Sequence, residues 1–370
     1  MRKKRIVIDA SPFLYTMDGI GRGTHGLIEN IVSLNQQYEI LLFGRRLRGK
    51  SLKRLGFKAK TRQLRLPRLA EGMIRKANLV DVVCRGDLYH ATDFYMPLAR
   101  PEKGISTVHD LIFLTQPEKM IDHMRLALKT PEFLRKCRAI ITVSEFSRQD
   151  IVNRLQIDPS KISVIYWGVN RELFHPLLDE EMVRSHLKSK FGLTIPYFLG
   201  VSCSTGRKNT PLLLKAYSRL LSSNPQNDLV LTWNPPPEIR LRYNSPDMKE
   251  HIHFIGRQSD QDLRCLYCGA TALVYPSLYE GFGLPIVEAM CCGTPVITSN
   301  KSSLPEVGGD AAVYIDPYDE DSLVRAMEAF ENRDPKLKNL QERVLLQASK
   351  YSWEKCATET LAVYARCLEE

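Results

Sequence analysis

The sequence lacks the long apolar runs of membrane-spanning and secreted proteins. No apolar run approaches the roughly 18 residues that cross a bilayer. The start, MRKKRIVIDAS, is a basic stretch that continues as a strand, and it does not have the apolar core of a signal peptide. We therefore expect a cytoplasmic protein that is soluble or peripheral on the inner membrane face.

Cysteines in a regular pattern are also missing. The nine cysteines are scattered and odd in number, which is typical of free thiols in a reducing compartment. Cys265 and Cys268 form a Cys-x-x-Cys pair, but no second pair follows at a ligand spacing and the context is helical. The sequence therefore predicts no disulfide framework and no metal site.

The chain length predicts two domains. A chain of 370 residues exceeds one ordinary core and suggests two domains of roughly 170 to 180 residues. Short apolar runs alternate with helical patterns such as Glu145–Leu155, which predicts an α/β protein with a parallel sheet in each half. The predicted strands are Lys4–Asp9, Tyr38–Phe43, Asp87–His90, Ile105–His109, Ala139–Val143, Lys161–Ile165, Tyr197–Gly200, Leu229–Trp233, His253–Gly256, Thr271–Tyr275, Pro295–Thr298 and Ala312–Ile315.

Tyr275–Glu306 carries the clearest functional pattern. Glu280 and Glu288 flank a glycine-rich turn, which follows a predicted strand and precedes a predicted helix from Leu284. Glycine lets a ligand approach the main chain, and a helix amino terminus offers free N–H groups, so a phosphate is the expected ligand. Glu280 would face the group attached to that phosphate, and Glu288 could accept hydrogen bonds from a ribose diol.

This stretch, SLYEGFGLPIVEAMCCGTPVITSN, resembles the retaining glycosyltransferases of family four and their E-x(7)-E signature. The resemblance extends to DGIGR, STVHDLIF, RKNTPLLLKAY and a terminal YSWEKCATETLAVYARCL. It implies the α/β GT-B fold, with two Rossmann-like doubly wound domains facing across a cleft. The implied domains are 1–168 and 169–350, with a last helix in 351–370 that crosses back to the first domain.

The resemblance also implies a reaction. A sugar would move from a nucleotide diphosphate sugar to an acceptor hydroxyl with its anomeric configuration retained, and the departing phosphate oxygen would assist deprotonation of the acceptor. The bacterial mannosyl- and rhamnosyltransferases of polysaccharide assembly are the most similar branch, which favours GDP-mannose and a lipid-linked or polysaccharide acceptor. Two alternatives remain: another GT-B enzyme, such as a nucleotide-sugar epimerase or sugar-phosphate synthase, and a non-catalytic nucleotide-sugar-binding membrane partner.

Three residues match catalytic positions of the family, and a fourth is a candidate for the remaining position. His109, at the carboxyl end of a predicted strand, would contact a hydroxyl of the donor sugar, and Glu280 would position that sugar. Lys208 matches the lysine that neutralises the leaving diphosphate. The arginine of the family follows a Gly-Arg pattern, but here Gly200-Val201-Ser202 stands in its place. Arg207 is a possible substitute, and its role is open.

The remaining matches are donor-binding positions. Gly19 is the better match to a glycine beside the donor phosphates, in a loop predicted to run from Ser11 to Gly23 before a helix from about Thr24. No Asp-x-Asp stands in the expected place for a metal-bridged diphosphate, so no cofactor is expected. The donor-binding residues are Gly19, Gly21, Arg257, Gly281, Phe282, Gly283, Leu284 and Glu288.

The net charge of +10 is concentrated in one segment. Arg45–Lys76 holds thirteen Lys or Arg against one acid, a net charge of +12, so the rest of the chain carries about −2. Leucines and Phe57 are interleaved with the cations, as in surfaces that lie on anionic lipid. A solvated basic face is the alternative, and nucleic acid is disfavoured because no nucleic-acid module accompanies the segment.

Overall fold

The computed structural model describes residues 2–15, 19–45, 52–65, 78–98, 100–115, 121–194, 196–204, 206–223 and 225–369. The chain forms two compact units, each with its own sheet. The N-terminal unit contains residues 1–168 and 352–370, and the C-terminal unit contains residues 169–351.

The sheet of the N-terminal unit has the strand order β3-β2-β1-β4-β5-β6-β7, and its described pairs are parallel. Most of these strands are apolar because helices cover both faces of a parallel sheet, as Ile6, Val7 and Ile8 illustrate by being fully buried. The strands are β1 (Arg5–Asp9), β2 (Glu39–Arg45), β3 (Lys60–Leu64), β4 (Leu88–Ala91), β5 (Gly104–Val108), β6 (Ala139–Thr142) and β7 (Ile162–Val164).

Helices lie between most of the consecutive strands, as expected because parallel strands need crossover connections. The hydroxyl of Ser144 accepts a hydrogen bond from the Ser147 N–H at 3.1 Å and so caps the sixth helix. The helices are α1 (Ser11–Tyr15), α2 (Gly19–Leu34), α3 (Leu79–Cys84), α4 (Ile112–Thr115), α5 (Ile121–Lys136) and α6 (Glu145–Leu155).

The sheet of the C-terminal unit has the strand order β10-β9-β8-β11-β12-β13, again with parallel pairs. Its strands are β8 (Tyr197–Gly200), β9 (Asp228–Leu231), β10 (Ile252–Phe254), β11 (Ala272–Tyr275), β12 (Val296–Ser299) and β13 (Val313–Ile315). Its helices are α7 (Glu180–Phe191), α8 (Thr210–Leu221), α9 (Pro237–Arg242), α10 (Pro246–His251), α11 (Asp260–Gly269), α12 (Leu284–Cys291), α13 (Leu304–Gly308), α14 (Glu320–Glu331) and α15 (Leu340–Ala348).

The last helix, α16 (Trp353–Glu369), belongs to the N-terminal unit. Its buried face includes Tyr364, whose hydroxyl lies 2.6 Å from Nδ1 of the buried His90. Close approach is secured by glycines: a Cβ on Gly26 would lie 2.5 Å from the Trp353 ring, and one on Gly168 would lie 2.1 Å from the Trp353 nitrogen. These positions therefore exclude any larger residue.

Each of the twelve predicted strands is present with ends within two residues of the expected ones, but two predictions for the N-terminal unit were wrong. The stretch predicted as a loop from Ser11 to Gly23 contains α1, and α2 begins at Gly19, not at Thr24. Repeated glycines lower helix propensity and so hid this helix start. Strand β3 was missed because an edge strand rich in polar residues lacks the apolar run of a central strand.

Candidate functional site

The strand order of the C-terminal unit places two loops side by side. From β8 the chain winds to β9 and β10 in one direction, and from β11 it winds to β12 and β13 in the other. The strand order therefore reverses between the adjacent strands β8 and β11. Ligands of open α/β sheets bind outside the carboxyl ends of strands at such a point. The loop after β8 carries Arg207 and Lys208, and the loop after β11 carries Glu280.

These three side chains meet around one buried carboxylate. Glu280 is 5% exposed. Its Oε2 accepts a hydrogen bond from the Arg207 guanidinium at 2.9 Å, and its Oε1 lies 2.8 Å from the Lys208 ammonium. The two loops are also joined through the main chain, since the Leu278 N–H donates to the Arg207 carbonyl at 2.8 Å. Two cations against one anion leave a net positive charge at the switch point.

Tyr275, the last residue of β11, adds a second support for Lys208. The Lys208 ammonium donates a hydrogen bond to the Tyr275 hydroxyl and lies 4.8 Å from the centre of its ring. The sequence had not indicated Tyr275, because a buried tyrosine at a strand end is indistinguishable from a core residue.

Burial and the neighbouring cations shift the pKa of Glu280 in opposite directions. Burial, the largest influence, raises the pKa of Glu280, but Lys208 and then Arg207 outweigh it, and the pKa lies below its ordinary value. The carboxylate is therefore ionised at neutral pH. Burial is also the largest influence on Lys208 and lowers the pKa of its ammonium, with Glu280 acting in the opposite sense. Removing Glu280 would leave the buried Lys208 ammonium without its carboxylate partner.

The turn after Glu280 has the backbone geometry of a ligand-binding loop. Residues Gly281, Phe282, Gly283 and Leu284 are buried, and Gly283 has a φ of +109°, which favours glycine. The Ser303 hydroxyl bridges the carbonyls of Glu280 and Phe282 at 2.9 and 3.0 Å. The Phe282 ring itself packs edge-on against Tyr351 at 5.5 Å, so its side chain belongs to the core and only its main chain is available to a ligand.

Ser302 and Ser303 were not indicated by the sequence, although they hold the turn. The Glu280 N–H donates to the Ser302 hydroxyl at 3.1 Å, in addition to the contacts of Ser303. Ser277 also lies near the Glu280 carboxylate and lowers its pKa by less than the two cations do. Serines are common in loops, and only the fold brings these three to Glu280.

Glu288 lies one helical turn into α12 and is 4% exposed. Its Oε2 accepts a hydrogen bond from the Tyr267 hydroxyl at 3.1 Å. A carboxylate has about four acceptor positions, and the Tyr267 hydroxyl occupies one of them. The predicted role of Glu288 in ribose binding stays a prediction.

Arg257 lies further along the same sheet. It follows β10, the edge strand, and two strands separate β10 from β11. Its side chain is exposed, and the preceding Gly256 has a φ of +70° with Asn234 side-chain atoms at 3.0 Å from the position of a Cβ. The predicted contact with a nucleobase is not tested by this geometry.

In the N-terminal unit, His109 follows β5 and is 5% exposed. Its Nε2 donates a hydrogen bond to the Thr92 carbonyl at 2.8 Å, which fixes a tautomer with a proton on that nitrogen. Its ring packs against Phe94 at 5.6 Å and Trp167 at 4.9 Å. The imidazole is thus held in one orientation at the carboxyl end of a central strand.

The predicted glycines of the N-terminal unit lie in the first turn of α2. Gly19 is exposed, and a Cβ on it would meet nothing within 4 Å. Gly21 is buried. The tightest glycine of this turn is Gly23, where a Cβ would lie 2.5 Å from the Trp167 ring. Gly23 was taken only as a loop end, and no local signal in the sequence distinguishes it from its neighbours.

The basic segment Arg45–Lys76 lies partly outside the described residues, since the structure describes only Arg45 and 52–65 of it. Three apolar side chains of this part pack against the rest of the unit, and the predicted contact with anionic lipid stays a prediction. Leu52 is 1% exposed, Leu64 packs against the core, and Phe57 contacts Phe13 at 5.8 Å. The exposed side chains are cations: Lys53, Lys58, Lys60, Arg62 and Arg65.

None of the helices in the described ranges combines the length and the apolar character that a bilayer-spanning segment needs. No group of three or more His, Cys, Asp or Glu side chains in the same ranges could hold a metal ion.

Both units resemble known protein families. Residues 17–173 match the family model described as Glycosyltransferase Family 4, and residues 186–345 match Glycosyl transferases group 1. O-antigen chain mannosyltransferase B of Escherichia coli is 30% identical, over 97% of this chain and 99% of its own length.

Two solved structures share the fold. A glycosyltransferase from Rickettsia africae superposes with a TM-score of 0.77 at 17% identity and full coverage of both chains. An Anabaena protein crystallised with UDP and glucose superposes with a TM-score of 0.74 at 16% identity, over 99% of this chain and 100% of its own. The predicted GT-B fold and enzyme class are confirmed. With both family models matched and a relative aligned from end to end, the chain belongs to the family 4 glycosyltransferases.

Proposed function

We propose that this chain transfers mannose from a nucleotide diphosphate sugar to a hydroxyl of a lipid-linked or polysaccharide acceptor, with retention of the anomeric configuration. The enzyme class is that of its family. Mannose is proposed because the Escherichia coli relative is named an O-antigen chain mannosyltransferase. GDP is the favoured nucleotide.

One observation supports the donor chemistry above all others. Arg207 and Lys208, from the loop after β8, converge on Glu280 at the switch point of the sheet, and Glu280 lies in the loop that leads into the amino terminus of α12. Cations and a helix amino terminus stabilise negative charge that develops on a leaving diphosphate. In the proposed reaction Lys208 and Arg207 bind this diphosphate, Glu280 orients the sugar, and His109 contacts a sugar hydroxyl.

The donor can be identified with a panel of nucleotide sugars. We expect GDP-mannose to raise the midpoint of thermal unfolding more than UDP-glucose or dTDP-rhamnose, because a ligand that binds only the folded protein stabilises it. Transfer to a mannose-terminated acceptor, followed by NMR of the product anomer, tests the reaction. An inverted anomer, or release of an epimerised nucleotide sugar without transfer, would contradict the proposal.

We also propose that transfer needs no metal ion, since the two cations supply the positive charge that a bridging metal would give. Activity measured with and without a chelator should be the same within error. A full loss of activity that magnesium restores would contradict this part of the proposal and leave the sugar transfer itself intact.

The exposed cations of the basic segment support a further part of the proposal, attachment to an anionic membrane. Each cation near anionic lipid contributes about 1 kcal/mol, and salt weakens the attachment. Lys60 is partly neutralised, because its ammonium lies 2.6 Å from Glu39. We therefore expect substitution of Lys53, Lys58, Arg62 and Arg65 by Gln to abolish co-sedimentation with vesicles that contain phosphatidylglycerol.

A matched control removes the same charge elsewhere. Lys188, Lys249, Lys336 and Lys338 are exposed in the C-terminal unit, and their replacement by Gln should leave vesicle binding unchanged. Equal losses in both variants would mean that only the net charge matters. Failure of the unaltered protein to bind anionic vesicles at low salt would rule out the attachment.

A further inference from the structure

Tyr267 links α11 to the carboxylate of Glu288. The tyrosine is fully buried, and its hydroxyl donates a hydrogen bond to Glu288 Oε2 at 3.1 Å. Both partners are buried, and a hydrogen bond inside the protein is electrostatically stronger than the same bond in water.

Several contacts hold the ring and the main chain of Tyr267 in place. Its ring packs edge-on against Phe174, with the ring centres 6.1 Å apart. Its carbonyl accepts a hydrogen bond from the Thr294 hydroxyl at 2.7 Å and another from the Ala270 N–H at 3.1 Å. Thr294 follows α12, so the same tyrosine is tied to the helix at Glu288 and to the chain just after the helix.

A carboxylate on a helix can rotate about three side-chain torsions, and a bond to a fixed donor removes most of that freedom. A ribose diol donates its hydrogen bonds best when the carboxylate oxygens that accept them are held in one orientation. A hydrogen bond from a rigid neighbour that orients a binding group lowers the entropy lost when the ligand binds.

We propose that Tyr267 is a positioning residue, which holds the Glu288 carboxylate in the orientation that binds the ribose hydroxyls of the nucleotide. The inference rests on the proposed function, in which Glu288 binds the ribose. Tyr267 itself does not contact the ligand in this proposal. Its contribution is therefore confined to ligands that carry the diol.

The test uses calorimetry to measure the Kd of GDP and of 2′,3′-dideoxy-GDP for three proteins: the unaltered protein, Tyr267→Phe and Glu288→Gln. Removal of the Tyr267 hydroxyl in Tyr267→Phe should weaken GDP binding about 3- to 10-fold, as expected for the loss of one orienting hydrogen bond. Glu288→Gln should weaken it at least as much. For the dideoxy analogue, all three proteins should have the same Kd, since the ligand has no diol to be bound.

Tyr217→Phe is the matched control. Tyr217 is also fully buried in the C-terminal unit, and its hydroxyl donates to the Asn227 carbonyl at 2.8 Å, so the substitution likewise removes one buried phenol bond. We expect it to leave both Kd values unchanged. A GDP affinity that is weakened equally by Tyr217→Phe and Tyr267→Phe would overturn the positioning role.

Failures of the two proposals differ. If Glu288→Gln weakens GDP binding and Tyr267→Phe does not, the positioning role is wrong and ribose binding by Glu288 stands. If Tyr267→Phe weakens GDP and dideoxy-GDP alike, the tyrosine has only a structural role. If Glu288→Gln leaves GDP binding unchanged, Glu288 does not bind the ribose, and the inference fails together with that element of the proposed function. If the unaltered protein binds no nucleoside diphosphate, the proposed function fails.

Discussion

The Lys208 ammonium forms an ion pair with Glu280 and also contacts Tyr275. We expect Lys208→Ala to lower kcat/KM by about 30- to 1000-fold, equivalent to about 2–4 kcal/mol, because the charge on the leaving diphosphate loses its nearest counterion. Steady-state kinetics with a donor excess would measure this. Lys188→Ala removes an exposed lysine of the same unit and should retain full activity. A Lys208→Ala enzyme within threefold of the parent would exclude Lys208 from the reaction.

Glu280 makes stability depend on pH in a direction that can be worked out. Its pKa in the folded protein lies below the ordinary value of 4.5, so the unfolded chain takes up a proton first as the pH falls. The stabilisation by Glu280 is complete above that value and is lost as the pH falls through the folded pKa. We therefore expect Glu280→Gln to cost about 2–4 kcal/mol at pH 7 and progressively less below pH 4.5.

Urea unfolding of the two proteins between pH 7 and pH 3 would measure this difference. Glu342 is exposed on α15, and Glu342→Gln should change the free energy of unfolding very little at any pH. A difference between parent and Glu280→Gln that stays constant down to pH 3 would show that the carboxylate is not stabilised by Arg207 and Lys208.

The start of α12 depends on the backbone of Gly283. With a φ of +109° and Leu304 Cδ2 only 3.0 Å from the position of a Cβ, Gly283→Ala combines backbone strain with a steric clash. We expect it to lower the free energy of unfolding by about 2–4 kcal/mol and to weaken nucleoside diphosphate binding, since the turn must shift.

Gly192 provides the control, because it has a φ of +68° at the end of α7 with nothing within 4 Å of a Cβ. Gly192→Ala should cost only about 1 kcal/mol and leave nucleotide affinity unchanged. If the two variants were equally stable, the clash with Leu304 would contribute nothing.

The sequence predicted central elements better than peripheral ones. Strands such as Thr271–Tyr275 are long apolar runs because helices cover both faces of the sheet, and this pattern is visible in the sequence. Strand β3 and the start of α2 were missed, since an edge strand stays polar and a helix that packs against tryptophan rings contains glycine.

From residue chemistry alone, the candidate site was predictable only where one short stretch contains the whole pattern, whereas Arg207 and Lys208 were indicated through the family resemblance. Glu280, the glycine-rich turn and Glu288 lie within nine residues. The helix amino terminus predicted beside the turn indicates phosphate binding from the sequence alone. Tyr267 and Tyr275 reach the same carboxylates and cations from other elements. Such contacts depend on how strands pair, and no spacing in the sequence reports that.

The two units of the whole molecule differ in how the chain builds them. The C-terminal unit is one continuous segment, 169–351, whereas the N-terminal unit needs 352–370 as well as 1–168. The buried face of α16 includes Ala357, Val363 and Tyr364, and Tyr364 also bonds to the buried His90. A chain of 1–168 would therefore expose this part of its core and leave His90 without one of its partners.

We expect the chain 169–351 to unfold cooperatively by itself and to bind nucleoside diphosphate, because the Arg207, Lys208 and Glu280 cluster lies wholly within it. The chain 1–168 should be unfolded or molten by circular dichroism. Linking 352–370 to it through a flexible glycine-serine segment should restore a cooperative transition, since α16 would again cover its core. A scrambled 352–370 sequence on the same linker is the control. If 1–168 folded equally well with and without the native helix, α16 would contribute little to the N-terminal unit, and the close contacts at Gly26 and Gly168 would not stabilise it.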